Sequence, residues 1–217
     1  MTRDAVVRRI VEIGILPVVR AASGAEAIAM ADAIGAGGVE ALEITMTVPG
    51  ALQVIAQAVA RYGDRFLIGA GTVLDAQQAG DCISAGARFI VSPIVDDEMI
   101  AACRAADVAV LPGALTPTEI VRAWRAGAAF VKVFPCSAVG GPAYIRALRG
   151  PLPQIPLVPT GGVTLDTVGP FFAAGASAVG VGSDLCDVQA IRRGQAENVT
   201  RTARQYVAAI QACRAHA

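Results

Sequence analysis

One lysine, Lys132, stands among the 18 basic residues of this chain, in the apolar run Phe130-Val131-Lys132-Val133-Phe134-Pro135. Side chains alternate along a strand, so Phe130, Lys132 and Phe134 share one face and Val131 and Val133 the other. A charged ammonium buried on such a face is costly unless it is paired. It must find a carboxylate or lose its proton. A neutral lysine is a nucleophilic amine, suited to forming a Schiff base with a carbonyl substrate. The bland alternative is a core lysine paired with an acid. Glu43 is the matching acid. It lies inside Ala41-Leu42-Glu43-Ile44-Thr45-Met46, on a face with Ala41 and Thr45. It would neutralise Lys132 at rest and carry protons once an imine forms. Its alternative is a structural ion pair with Lys132 or Arg20.

Other residues have chemistry by position. Arg20 closes Leu16-Pro17-Val18-Val19-Arg20, and its planar guanidinium suits bidentate binding of a carboxylate or phosphate unless it only faces solvent. Two glycine turns, Thr160-Gly161-Gly162 and Gly182-Ser183, let backbone N–H groups approach an anion. Thr72 after Gly69-Ala70-Gly71, and Pro93 after Ser92, either line the same mouth or serve as turn residues. Cys136 follows the lysine run. A catalytic thiol needs a base, and the sole histidine is His216, next to the C-terminus, so a packing role is expected. The same scarcity of histidine argues against a metal centre. Trp124, in a helical stretch, reads as core.

To hold these residues together the chain needs many short strands. Runs at 16–20, 41–46, 66–71, 89–93, 108–113, 130–135, 156–161 and 178–183 read as eight, starting 19 to 26 residues apart. Alanine-rich amphipathic stretches lie between them. Ser23 to Glu26 and Thr116 to Glu119 both fit a capping box, the second with Pro117 at the first helical position, and Asp75 with Gln78 is a weaker start signal. Ala-Gly-Gly or Ala-Gly-Ala recurs around Gly37, Gly86, Gly127 and Gly175, before strands two, four, six and eight. That interval is two strand–helix units. Even spacing, with no GxGxxG after the first strand, favours a single-domain (β/α)₈ TIM barrel over an open doubly wound sheet. Residues 1–217 form that domain, with an extra N-terminal helix at about 3–13. In a barrel the strand ends at the C-terminal side carry the site, and turns after strands seven and eight often hold phosphate.

Bulk composition narrows the partners. The net charge is +0, with 18 acidic and 18 basic residues, which argues against nucleic acid or an anionic membrane. The longest uncharged runs, 44–60 and 167–183, fall just short of a membrane span and carry Pro and Gly. The five cysteines form no CxxC pair and the start of the chain has no signal-like apolar core, so a cytoplasmic protein with reduced thiols is expected.

In order and spacing, GGVEALEIT, IGAGTVLD, FIVSP, LPGALTPTE, FVKVFP, VPTGGV and VGVGSDL resemble the 2-keto-3-deoxy-6-phosphogluconate (KDPG) aldolase family, over roughly residues 15–185. The resemblance implies a class I aldolase, a lyase of the Entner–Doudoroff pathway, on a (β/α)₈ barrel. It implies a homotrimer that needs no metal or cofactor. Its substrate is a phosphorylated keto acid, cleaved to pyruvate and glyceraldehyde 3-phosphate, with 4-hydroxy-2-oxoglutarate as a side substrate. Residue by residue, Lys132 matches the Schiff-base lysine and Glu43 the proton carrier. Thr72, Pro93 and Phe134 match the pyruvate pocket, and Thr160, Gly161, Gly162, Gly182 and Ser183 match the phosphate site. Where some members carry a carboxylate-binding arginine this chain has Thr47, and Arg20 is the available replacement. A sister aldolase acting on the C4 epimer, 2-keto-3-deoxy-6-phosphogalactonate, is the near alternative, though the hydroxyl of Thr160 favours the gluconate branch. More remote are a phosphate-binding isomerase or epimerase barrel and a non-catalytic binding barrel.

Overall fold

The computed structural model describes residues 1–215; His216 lies outside the described residues. Helix α1 (Arg3–Ile13) precedes β1 (Ile15–Val19). Then come α2 (Gly24–Ala36), β2 (Ala41–Thr45), α3 (Ala51–Tyr62), β3 (Leu67–Gly71), α4 (Ala76–Ser84), β4 (Phe89–Val91) and α5 (Asp97–Ala105). The second half runs β5 (Ala109–Leu111), β6 (Gly113–Ala114), α6 (Pro117–Ala126), β7 (Val131–Val133), α7 (Pro142–Arg149), β8 (Leu157–Pro159), α8 (Leu165–Ala173) and β9 (Val179–Val181). It closes on α9 (Val188–Arg192) and α10 (Ala196–Ala215). Every expected strand is present, but the fifth is in two pieces. Pro112 has no N–H to give the ladder, and the strand breaks there.

All strand pairings are parallel. One sheet runs β5-β4-β3-β2-β1-β9 and a second runs β6-β7-β8. Hydrogen bonds cross both seams. Thr160, just past β8, bridges Gly180 of β9. On the other side Ala129 N donates to Val110 O and Lys132 N to Pro112 O, each at 2.9 Å.

Alternation sorts the strand side chains into two cores. Leu16, Ala41, Leu67, Phe89, Leu111, Phe130 and Val158 meet in one cluster, enclosed by the curling sheet. Ile15, Val19, Leu42, Ile44, Val131 and Val133 point the other way, against the helices. Helix α1 joins the inner cluster through Val6 and Ile10. It lies across the N-terminal ends of the strands. Arg3 reaches Asp107 and Gly127, before β5 and β7, and Arg9 donates to the carbonyls of Asp64 and Arg65, before β3.

The helix starts are built much as the sequence predicts. Thr116 and Glu119 form a full capping box at α6. At α2, Ser23 accepts from Glu26 N, but the Glu26 carboxylate accepts from Ala22 N and pairs with Arg192 of α9 at 2.8 Å. Gly86, Gly127 and Gly175 take left-handed conformations, whereas in the first repeat Gly38 does so rather than Gly37. Trp124 is half-buried against the outer core. No helix among the described residues is long and apolar enough to cross a membrane.

Candidate active site

Lys132 sits on the inner face of β7, 4% exposed, with Val131 and Val133 turned outward. Its Nζ lies 5.1 Å from the centroid of the Phe134 ring, within range of a cation–π contact. On one side its backbone pairs with Val158, on the other with Gly113. A Cβ on Gly113 would stand 2.4 Å from the Pro93 carbonyl carbon, so Pro93 packs directly against the strand beside the lysine.

Glu43 sits on the inner face of β2, 2% exposed, and its Oε1 is buried with no hydrogen-bond partner. A buried carboxylate oxygen without a protein partner is costly, and such a group calls for an explanation. Among the described residues neither Lys132 nor Arg20 has a carboxylate within 4.0 Å, so the resting ion pairs expected from the sequence do not form. Cys186 is buried close by. Burial, then the Glu43 carboxylate, push its thiol up to about 12, while Arg20 acts in the opposite sense. Burial alone lifts the Cys136 thiol to about 11, so it stays protonated at neutral pH and behaves as packing.

Thr72 follows β3 with φ 59°, a left-handed conformation that β-branched residues rarely adopt. Gly69 and Gly71 differ from the turn reading. Both lie inside β3, in extended backbone, and their missing side chains leave room for Phe89 and Glu43. Thr45, on the Glu43 face, donates to Val19 O at 3.1 Å and lies 2.7 Å from the Thr47 hydroxyl.

A cavity of about 500 Å³ opens beside these residues. It brings together seven residues singled out from the sequence: Arg20, Phe134, Thr160, Gly161, Gly162, Gly182 and Ser183. Lys132, Glu43, Thr72 and Pro93 are not in its wall. Phe134 joins the cavity to Lys132, and Val18, also in the wall, pairs with Glu43 in register. Gly161 and Gly162 have successive positive φ values of 90° and 77°, and Thr164 caps α8 just beyond them. Backbone amides beside a helix start are the chemistry that suits an anion, and the Arg20 guanidinium lies in the same wall. Gly180 has the same spatial role as Gly71: a Cβ there would lie 2.3 Å from the Thr160 hydroxyl.

The sequence did not single out Val18, Val163, Thr164 or Asp184, which also line the cavity. Thr164 had a signal, since Thr164 and Thr167 have cap spacing. Asp184 did not; its carboxylate accepts from the Tyr206 hydroxyl at 2.5 Å. Burial, followed by that bond, raises Tyr206 far above the usual phenol range, so it remains a donor. A larger groove, about 780 Å³, runs between α5 and α6 and contains none of these groups. Among the described residues no cluster of three or more His, Cys, Asp or Glu side chains is placed to hold a metal.

Residues 6–202 match the family described as KDPG and KHG aldolase. The chain is 36% identical over 194 residues to the 2-dehydro-3-deoxy-phosphogluconate aldolase of Pseudomonas aeruginosa, covering 89% of this chain and 88% of that one. It is 38% identical over 201 residues to the 2-dehydro-3-deoxy-6-phosphogalactonate aldolase of Escherichia coli, covering 92% and 94%. Among solved structures it superposes, at a TM-score of 0.85 and 29% identity, on the Legionella pneumophila KDPG aldolase with pyruvate captured as a covalent carbinolamine, covering 94% and 97%.

Proposed function

Because the chain belongs to the KDPG and KHG aldolase family, we propose that Lys132, Glu43 and the adjoining cavity form the active site of a class I aldolase. It cleaves KDPG to pyruvate and D-glyceraldehyde 3-phosphate, and takes 4-hydroxy-2-oxoglutarate as a further substrate. The observation that carries this reading is a lone inward lysine close to an anion cradle, with an unpartnered carboxylate on the same interior. Lys132 attacks the C2 carbonyl, water leaves, and the imine becomes an electron sink. Glu43 takes the C4 hydroxyl proton, directly or through water, and the C3–C4 bond breaks. The aldehyde departs. The enamine gains a proton at C3, and hydrolysis frees pyruvate and the lysine. Thr72, Pro93 and Phe134 frame the pyruvate end, while Thr160, Gly161, Gly162, Gly182 and Ser183 hold the phosphate. Binding that far from the reacting bond orients it.

Arg20 shares its wall with the phosphate turns, which supports a role at the phosphate end rather than at the carboxylate. The contacts at both seams support closure of the two sheets into one single-domain (β/α)₈ barrel. We place the reaction in the Entner–Doudoroff pathway of the cytoplasm, carried by a homotrimer.

The galactonate epimer is the second reading. The 38% identity to an aldolase for that sugar favours it, whereas the Thr160 hydroxyl favours the gluconate. The test is borohydride trapping with pyruvate, read by intact mass and peptide mapping. With one lysine in the chain, only the N-terminal amine competes. A stoichiometric adduct on Lys132 is expected, and a folded protein without one overturns the aldolase mechanism. Relative kcat/KM on the two phosphorylated acids, with pyruvate release coupled to NADH oxidation, then decides the epimer.

A further inference from the structure

Gly71 is inside β3 and has no backbone reason to be glycine. It lies in extended backbone, outside the left-handed region that excludes other residues. The space beside it is the constraint. A Cβ at this position would lie 1.7 Å from Glu43 Oε1, 2.3 Å from Cδ and 2.4 Å from Cγ. The Glu43 carboxylate therefore occupies the volume that any side chain at residue 71 would fill. Register makes the arrangement specific. Glu43 pairs with Gly69 across the ladder, and Gly71 pairs with Thr45, two residues further along. Glu43 thus lies diagonally along β3, toward the C-terminal strand ends, a reach open to a long side chain. On its other flank it meets Val18 of β1.

We propose that Gly71 is a positioning residue for the reaction: its missing side chain fixes the Glu43 carboxylate in the orientation that moves protons at the lysine-bound substrate. The proposal rests on the aldolase reading above and adds a residue that acts through Glu43. The step it controls is visible with pyruvate alone. In the protonated imine on Lys132, Glu43 takes a proton from C3, directly or through water. The C3–H electron pair forms the C2=C3 bond, and the C=N pair moves to nitrogen, giving the enamine. Reprotonation from D2O exchanges the methyl hydrogens.

The experiment compares Gly71→Ala in two backgrounds, native and Glu43→Ala, with three readouts. These are borohydride trapping at saturating pyruvate, methyl exchange in D2O by NMR, and the thermal midpoint. In the native background Gly71→Ala keeps stoichiometric trapping on Lys132 but slows exchange at least about tenfold, as displacement of a general base requires. In the Glu43→Ala background, where the carboxylate is gone, adding Gly71→Ala changes exchange less than about twofold and leaves the midpoint unchanged, the non-additivity expected of residues in contact. If Gly71→Ala alone does not fold, a folded double variant with the midpoint of Glu43→Ala supports the same conclusion. Equal losses in both backgrounds, native exchange unaffected by Gly71→Ala, or two unfolded Gly71→Ala proteins overturn the proposal and leave the aldolase reading standing. A folded wild-type protein that neither traps nor exchanges overturns both.

Discussion

Thr72 holds a conformation that its own side chain opposes. A β-branched residue at φ 59° carries on the order of 1–3 kcal/mol of strain. Glycine at that position would relieve the strain but loosen the unfolded chain by about 0.4–1 kcal/mol, so the two effects oppose one another. Thr72→Gly is therefore expected to change the folding free energy by no more than about 2 kcal/mol. If the hydroxyl holds the substrate carboxylate, the same change raises KM about tenfold or more, the usual loss of a hydrogen bond to a charged group. Steady-state kinetics beside a denaturant melt separates the two, and an unchanged KM would assign Thr72 to the turn alone. At this scale the sequence was most legible where a residue was rare. A lone lysine in an apolar strand and a single in-strand glutamate announce themselves. Gly71 did not, because a glycine that makes room looks the same in sequence as a glycine that makes a turn. Asp184 gave no signal either, since its partner Tyr206 is brought up from α10 only by the fold.

Helix starts carry the local order of the chain, and α6 has the most complete one. Thr116 accepts from Glu119 N, and the Glu119 carboxylate accepts from Thr116 N and Leu115 N. Those backbone bonds, Thr116 first, hold Glu119 below the usual carboxylate range. A depressed pKa means that the carboxylate's contribution is full above its unfolded value and fades as pH falls through the folded one. Thr116→Ala is expected to cost about 1 kcal/mol, or about 2–4 °C in thermal midpoint, at neutral pH. The Thr116 hydroxyl also donates to the Glu119 carboxylate at 3.0 Å, and this is the Glu119 bond lost with the side chain, so the gap from wild type should narrow in acid as Glu119 protonates. A gap that stayed constant down to low pH would mean that this hydroxyl bond contributes nothing. The element pattern was legible because strands and helices bury different periodicities. The strand expected over 108–113 ran through Pro112, whose missing N–H breaks it, and at α2 the rule covered only half the cap, because Arg192 competes for Glu26 from far along the chain.

The whole molecule combines two cores, and this is what the sequence conveyed least. Alternation shows which side chains share a face, but not that Leu16, Phe89 and Phe130 from distant strands meet. Apolar side chains also remain outside: Leu74 and Ile94, 46% and 45% exposed, follow the neighbouring strands β3 and β4. The proposed trimer is expected to cover them. Sedimentation is expected to give three times the chain mass of 22.1 kDa, and Leu74→Asp with Ile94→Asp to shift it toward one. A monomeric wild type would overturn the assembly. Helix α1 sets a further condition. Val6 and Ile10 plug the interior at the N-terminal strand ends, so the proposed mechanism brings substrate in and takes products out at the opposite end. Under that mechanism the fragment tethered to Lys132 leaves last, and free pyruvate competes with incoming substrate for the emptied amine.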